Sequence, residues 1–161
     1  MTNKNLKLVA VKSKDVAIRA KPSIYPAPFA ALMAGREKRQ LGEVFGLKNF
    51  GVNLTHLKPN SKSSLLHKHK TQDEFVYVVE GELTLILGDG TETVLSAGMC
   101  AGFPAGGEAH QFQNRSNKDA WYLEVGDRSL GDEVTYPNDD IRGVQNDNGQ
   151  WVFTRKDGTP Y

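Results

Sequence analysis

Residues 67–81 of the 161-residue chain read HKHKTQDEFVYVVEG, and this stretch decides both the fold and the candidate site. His67 and His69 stand two apart on a predicted strand, so the period of two turns both imidazoles to one face. Glu74 follows at the start of the next apolar strand. An isolated HxH pair in a lysine-rich segment is usually only solvated, so the surrounding sequence must distinguish a metal site from a surface strand.

The chain around this stretch is a series of short apolar segments separated by turn signals, such as Gly88-Asp89-Gly90 between two of them. No segment shows a long helical periodicity. The pattern predicts an all-β sandwich or barrel. The predicted strands are Phe50–Leu57, Ser64–His69, Phe75–Val79, Glu82–Leu87, Thr91–Leu95, Cys100–Phe103, His110–Asn114, Trp121–Val125 and Trp151–Arg155.

These strands divide the chain into three parts of one domain. Residues 49–126 form the predicted barrel core. Residues 1–48 form an irregular, proline-containing arm that packs on the barrel, with Arg36–Arg39 expected in a solvated loop. Residues 127–161 form a C-terminal extension with one final strand.

A third histidine, His110, opens another predicted strand 36 residues after Glu74. Three imidazoles and one carboxylate on neighbouring strands can converge on one ion and leave its other positions open. These ligand types suit one divalent transition metal, namely Fe, Mn, Ni, Zn, Co or Cu.

Two segments together resemble the cupin superfamily. Residues 67–81 match its first motif, HxHx4Ex6G, at His67, His69, Glu74 and Gly81. Residues 98–114, GMCAGFPAGGEAHQFQN, are similar to the second motif, Gx5PxGx2Hx3N, with one extra residue near Gly106-Gly107. The matching positions of the second motif are Gly98, Pro104, His110 and Asn114.

The resemblance implies a double-stranded β-helix, that is, a jelly-roll barrel, with one metal held by His67, His69, Glu74 and His110. It also implies a small single-domain bacterial cupin of a subgroup without a settled reaction. The leading hypothesis is a metal-dependent enzyme acting on a small oxygen-rich molecule, as an isomerase, lyase, decarboxylase or dioxygenase. The alternatives are a non-catalytic cupin that binds or senses a small ligand, and a cupin that kept the fold and lost the ion.

Strand parity predicts the residues beside the metal. Val76 and Val78 share the face of Glu74, and Phe112 and Asn114 share the face of His110, so these four are expected to line the pocket. Glu124 could supply a second carboxylate for acid–base work, but a surface ion pair is the favoured interpretation. Cys100 is expected to be a small buried hydrophobic residue.

Composition excludes several partners. Lys plus Arg is 20 and Asp plus Glu is 19, so the net charge of +1 argues against a nucleic-acid binder. The single cysteine rules out an intrachain disulfide and suits a reducing, cytoplasmic location. No apolar run long enough to span a membrane and no signal-peptide pattern are found. A small-molecule ligand and, by resemblance, a homodimer are the expected partners.

Overall fold

A computed structural model describes residues 8–161, and strands dominate this part of the chain. Its helices are α1 (Leu41–Phe45) and two short 3-10 segments, Ser13–Asp15 and Phe29–Met33. The strands, in chain order, are β1 (Arg36–Gln40), β2 (Phe50–Leu57), β3 (Lys68–His69), β4 (Glu74–Glu80), β5 (Glu82–Leu87), β6 (Glu92–Ser96), β7 (Cys100–Phe103), β8 (His110–Gln113), β9 (Ala120–Asp127), β10 (Glu133–Thr135), β11 (Arg142–Gln145) and β12 (Trp151–Thr154).

The strands form three sheets, and every pairing between them is antiparallel. The largest sheet has the order β1-β2-β9-β4-β7, and a three-stranded sheet has the order β6-β5-β8. The third sheet, β12-β11-β10-β3, joins the C-terminal extension to the short strand that carries His69. The predicted all-β jelly-roll class is confirmed.

Two apolar clusters hold these layers together. The first fills the space between the five-stranded and three-stranded sheets with side chains such as Val78, Leu83 and Tyr122, each of them fully or almost fully buried. The second joins the N-terminal arm to the extension, where Met33 packs with Ile141 and their neighbours. Burial of apolar surface is the main stabilising contribution to such layers, so the arm and the extension both help to close the barrel.

The segment Arg36–Arg39 is not the predicted loop, because it forms edge strand β1 along β2. Its side chains alternate between the two faces: Arg36 and Lys38 line the interior cavity, whereas Glu37 pairs with His56 and Arg39 lies over Trp121 on the other side. Apolar periodicity cannot reveal a strand whose alternating residues are all charged.

Three further expectations are corrected by strand pairing. The extension contains three strands, because β10, β11 and β12 pair in sequence and β10 also pairs with β3. The predicted strand Ser64–His69 is reduced to β3, and His67 instead makes an isolated bridge to His110. Cys100 is exposed, because its register partner on β4 is Tyr77, which faces outward.

Gly81 lies at the turn between β4 and β5, where the backbone comes very close to the start of β9. Its φ is +79°, and an added Cβ would lie 2.5 Å from the Asp119 carbonyl oxygen and 2.9 Å from Ala120 Cα. Gly81→Ala is expected to lower the free energy of unfolding by roughly 2–4 kcal/mol, since it adds backbone strain and overpacking. Urea unfolding measures this loss.

The matched control for Gly81→Ala is Gly90→Ala. Gly90 has a similar φ of +87°, but nothing lies within 4 Å of the added Cβ. Only the conformational cost of about 1–2 kcal/mol is therefore expected. Equal losses in the two variants would show that the close approach at Gly81 has no energetic weight.

Candidate metal centre

Four potential ligands converge at one end of the barrel. The ligand atoms of His67, His69 and Glu74 all lie within 4.8 Å of one another. His110 joins them through its Nε2, which lies 3.0 Å from Glu74 Oε2. The four residues come from the β3 region, β4 and β8, so the structure brings together the whole ligand set that the sequence suggested.

Glu74 Oε2 is the atom on which the three imidazoles converge. The Nε2 atoms of His67 and His69 lie 3.4 Å and 3.6 Å from it. Burial raises the pKa of the Glu74 carboxyl, but the adjacent His110 and His67 imidazoles outweigh burial and hold that pKa well below its usual range. The carboxyl is therefore ionised, which is the form that a metal requires.

The spacing of these atoms fits one divalent ion. Two ligands each about 2.1 Å from an ion lie roughly 3.0–3.4 Å apart at ordinary coordination angles. The distances of 3.0 Å to 3.6 Å from Oε2 to the three Nε2 atoms are close to that range. Oε2 is buried and has no hydrogen-bond partner of good geometry within the described residues, as expected of an atom that serves a ligand.

The outer nitrogens of two imidazoles are anchored by acceptors. His67 Nδ1 lies 3.0 Å from the Leu65 carbonyl oxygen, and His69 Nδ1 lies 2.5 Å from Asp132 Oδ2. With Nδ1–H donating to these acceptors, each Nε2 would offer its lone pair to an ion placed between it and Glu74. The His110 ring is held differently, because it stacks on Phe103 with ring centres 3.5 Å apart.

A cavity of about 210 Å³ opens beside the ligand set. Val76 and Phe112 line it, as parity predicts. Val78 and Asn114 lie elsewhere: Val78 is fully buried between the sheets, and Asn114 is fully buried in a turn, where its side chain donates to the Leu57 and Lys118 carbonyls. Asn114 breaks the parity rule because it lies beyond the end of β8, where the strand no longer fixes its direction.

Glu124 occupies the cavity wall and not the outer surface. Its side chain pairs with Lys38 of β1 and accepts a hydrogen bond from Asn53 Nδ2 at 2.9 Å. Glu124 lies opposite Val76 across the β4–β9 pairing, and Val76 is two residues beyond Glu74. The ion pair expected for Glu124 therefore exists, but inside the pocket, because β1 covers this side of the barrel with Lys38.

Several cavity residues come from the parts of the chain that sequence analysis treated as accessory. The arm contributes Arg19 and Tyr25, β1 contributes Arg36, and the extension contributes Tyr136 and Trp151. Asp132, which anchors His69, also belongs to the extension and is fully buried. No spacing in the sequence marked Asp132. Arg36 and Lys38 stand two apart in the sequence, and this period of two was the one available sign that β1 is a strand.

Comparison with known proteins agrees with this fold. Residues 53–126 match the cupin domain family. A solved structure of a cupin-superfamily protein from Silicibacter pomeroyi DSS-3, described as a sugar phosphate isomerase, is 42% identical, with a TM-score of 0.87 over 95% of this chain and 96% of that chain. The chain belongs to the cupin superfamily. The predicted double-stranded β-helix is thereby confirmed.

Two more distant structures have the same architecture. A protein from Acidithiobacillus ferrooxidans ATCC 23270, proposed to be a sugar phosphate isomerase, is 30% identical, with a TM-score of 0.70 over 78% of this chain and 80% of that chain. A polyketide cyclase from Streptomyces resistomycificus, at 23% identity and a TM-score of 0.62 over 74% of this chain and 79% of that chain, shares the fold. No curated protein matches the chain significantly.

Within residues 8–161, no helix has the length and apolar character needed to cross a membrane.

Proposed function

We propose that the protein is a metal-dependent enzyme that transfers a proton within a small, oxygen-rich substrate, as an isomerase does. One observation carries the proposal: a four-residue metal-ligand set and a partly buried carboxylate–lysine pair, Glu124 and Lys38, line the same 210 Å³ cavity. Intramolecular proton transfer uses both features, since the metal would polarise a carbonyl and the carboxylate would carry the proton.

The residues proposed to hold the metal are His67, His69, Glu74 and His110. A divalent ion held there would act as a Lewis acid toward substrate oxygens. The apolar side chains Val76 and Phe112 border the same space, which favours a compact substrate and limits the access of water.

Glu124 is the proposed proton carrier. Both of its hydrogen bonds, from Lys38 and from Asn53, reach Oε1, so they leave Oε2 for the substrate. A carboxylate so placed can take a proton from a carbon next to a carbonyl and return it to the neighbouring carbon, with no net loss of a proton. Burial lowers the pKa of the Lys38 ammonium, and the charge of Glu124 opposes this effect.

The position of Glu124 suits this role. Because Glu124 is paired with Val76, it lies on the same face as Glu74 and one pleat repeat, about 6.6 Å, further along the sheet. A substrate whose oxygens reach the ligand set would place a carbon near Glu124. The similarity to the Silicibacter pomeroyi and Acidithiobacillus ferrooxidans proteins supports sugar phosphates as the class to test first.

Glu124→Gln is expected to lower kcat roughly 10²–10⁴-fold and to leave metal content unchanged, because it removes the base and keeps the shape. The assay is a screen of aldose and ketose phosphates, keto acids and diols with metal-loaded protein, followed by steady-state kinetics on the best substrate. Glu82→Gln, an exposed residue at the start of β5, is the control.

Full turnover by Glu124→Gln would exclude Glu124 as the base. Binding of a screened compound without any turnover would instead support the non-catalytic alternative and overturn the proposed enzyme.

A further inference from the structure

Two arginine side chains that line the cavity meet at one backbone oxygen. Arg19 Nη2 donates to the Pro22 carbonyl oxygen at 2.7 Å, and Arg36 Nη2 donates to the same oxygen at 2.9 Å. Arg36 also donates to the Ser63 carbonyl oxygen. The arm is held in place by the Arg19 amide, which donates to the Lys38 carbonyl oxygen of β1 at 2.8 Å. The two guanidinium groups are therefore close neighbours in a fixed arrangement.

Neither guanidinium has a carboxylate partner among the described residues. The other arginines of residues 8–161 are either ion-paired or, like Arg39, stacked on an aromatic ring. Arg36 is 93% buried, given its 7% exposure, and its Nε has no hydrogen-bond partner; the buried Nε of Arg19 has none either. Two adjacent like charges in a partly desolvated place are unfavourable unless an anion compensates them.

Two of the cations that line the cavity have no carboxylate partner within residues 8–161. Lys38 is matched by Glu124, and Glu74 faces the imidazoles. Arg19 and Arg36 remain unmatched. Of five N–H donors on each guanidinium, Arg36 commits two to carbonyl oxygens and Arg19 commits one, so most donors are free. Planar donor groups of this kind suit the oxygens of a phosphate, and two cations match a dianion.

We propose that Arg19 and Arg36 bind the phosphate group of a phosphorylated substrate in the same cavity as the metal-ligand set. The inference rests on the proposed function for its biological meaning, but not for its test. The arginines would hold the phosphate by charge and hydrogen bonds, so that the oxygen-rich remainder of the substrate lies toward Glu124 and the imidazoles.

The test measures binding of inorganic phosphate to protein stripped of metal with a chelator, so that no ion can bind the phosphate. In a ³¹P NMR titration, wild-type protein is expected to bind phosphate. Arg19→Gln is expected to weaken that binding roughly 10–100-fold, because a charge-assisted contact is lost. Arg19 is only half-buried, so this variant is expected to fold.

Arg39→Gln is the matched control, because Arg39 lies on β1 three residues after Arg36 but faces Trp121, outside the cavity. It should bind phosphate as wild type does. Arg36→Lys keeps the charge but removes the planar fork, and an affinity between those of wild type and Arg19→Gln is expected. Thermal unfolding of each variant verifies folding.

Equal phosphate affinity in wild type, Arg19→Gln and Arg36→Lys, or no binding by the wild type, would overturn the phosphate site. Failure of the proposed enzyme has a different signature: phosphate binding would still depend on Arg19, while no phosphorylated sugar would be turned over in the presence of metal. The two results are therefore distinguishable.

Discussion

Glu74→Gln is expected to abolish stoichiometric metal binding, with a loss of affinity larger than the roughly 10–100-fold that follows removal of a residue that only orients a ligand. Wild-type protein is expected to purify with about one equivalent of a divalent transition metal. Elemental analysis measures the metal content, and competition with a chelator of known affinity measures the change in binding.

The physical reason is the position of Glu74 Oε2. This one oxygen lies between 3.0 Å and 3.6 Å from the Nε2 atoms of His67, His69 and His110. A glutamine of the same shape removes the negative charge and can present an amide NH₂ group to the imidazoles, which competes for the same space. The three histidines would remain, but their common anionic partner would be lost.

A second measurement links the metal to stability. A ligand that binds only the folded state stabilises it by about 2.7 kcal/mol when present at 100 times its dissociation constant. A chelator should therefore lower the unfolding temperature of the wild type and leave that of Glu74→Gln unchanged. Glu80→Gln, at the exposed far end of β4, is the matched control and should respond to the chelator as wild type does.

Wild-type protein that takes up no transition metal under any loading condition would contradict this prediction and, with it, the proposed enzyme. Retention of one equivalent by Glu74→Gln would show that the three imidazoles suffice.

The barrel can be predicted well from the sequence because the patterns that indicate its strands and turns are local. Alternation places Val76 beside Glu74, and glycine at position 81 marks a turn that only a left-handed backbone can make. Each of these signals lies within one strand or one turn. His67, His69 and Glu74 were predictable for a similar reason, since all three lie within eight consecutive residues that match one motif.

The cavity wall was not predictable in this way because distant segments build it. Arg36 and Lys38 belong to a strand without apolar residues, and Arg19 reaches the cavity only because the arm bridges to that strand. Parity failed at Asn114, which lies just past its strand, and the surface ion pair expected for Glu124 is inside because β1 covers it. Long-range placement of charged groups depends on tertiary packing, which no local pattern records.

Asp132 is the clearest case of such a long-range contribution, and it carries the second large prediction. Its carboxylate is fully buried, and its Oδ1 accepts hydrogen bonds from the Lys70 and Thr71 amides at 3.1 Å and 2.8 Å. Its Oδ2 lies 2.5 Å from His69 Nδ1. Asp132 therefore fixes both the position of β3 and the direction of the His69 ring, and so acts as a positioning residue.

Asp132→Asn is expected to weaken metal binding roughly 10–100-fold and to leave the fold largely intact. Asparagine keeps an oxygen for the two amides, but it turns an NH₂ group toward His69 Nδ1. That nitrogen must then accept, so the ring proton moves to Nε2 and occupies the face that a metal would use. Alanine is a poorer choice, because it would leave buried amides unpaired at about 1–3 kcal/mol each.

The measurements are metal affinity and the tautomer of His69, the latter read from long-range ¹H–¹⁵N NMR of the metal-free protein. The tautomer is expected to change from Nδ1–H to Nε2–H, a change that a merely destabilised barrel would not produce. Asp147→Asn, in the exposed turn between β11 and β12, is the control. In a His69→Ala background, Asp132→Asn should cause no further loss of affinity, because Asp132 acts on the metal only through His69. An additional loss there, or an unchanged tautomer in the single variant, would show that the extension supports the site by packing alone.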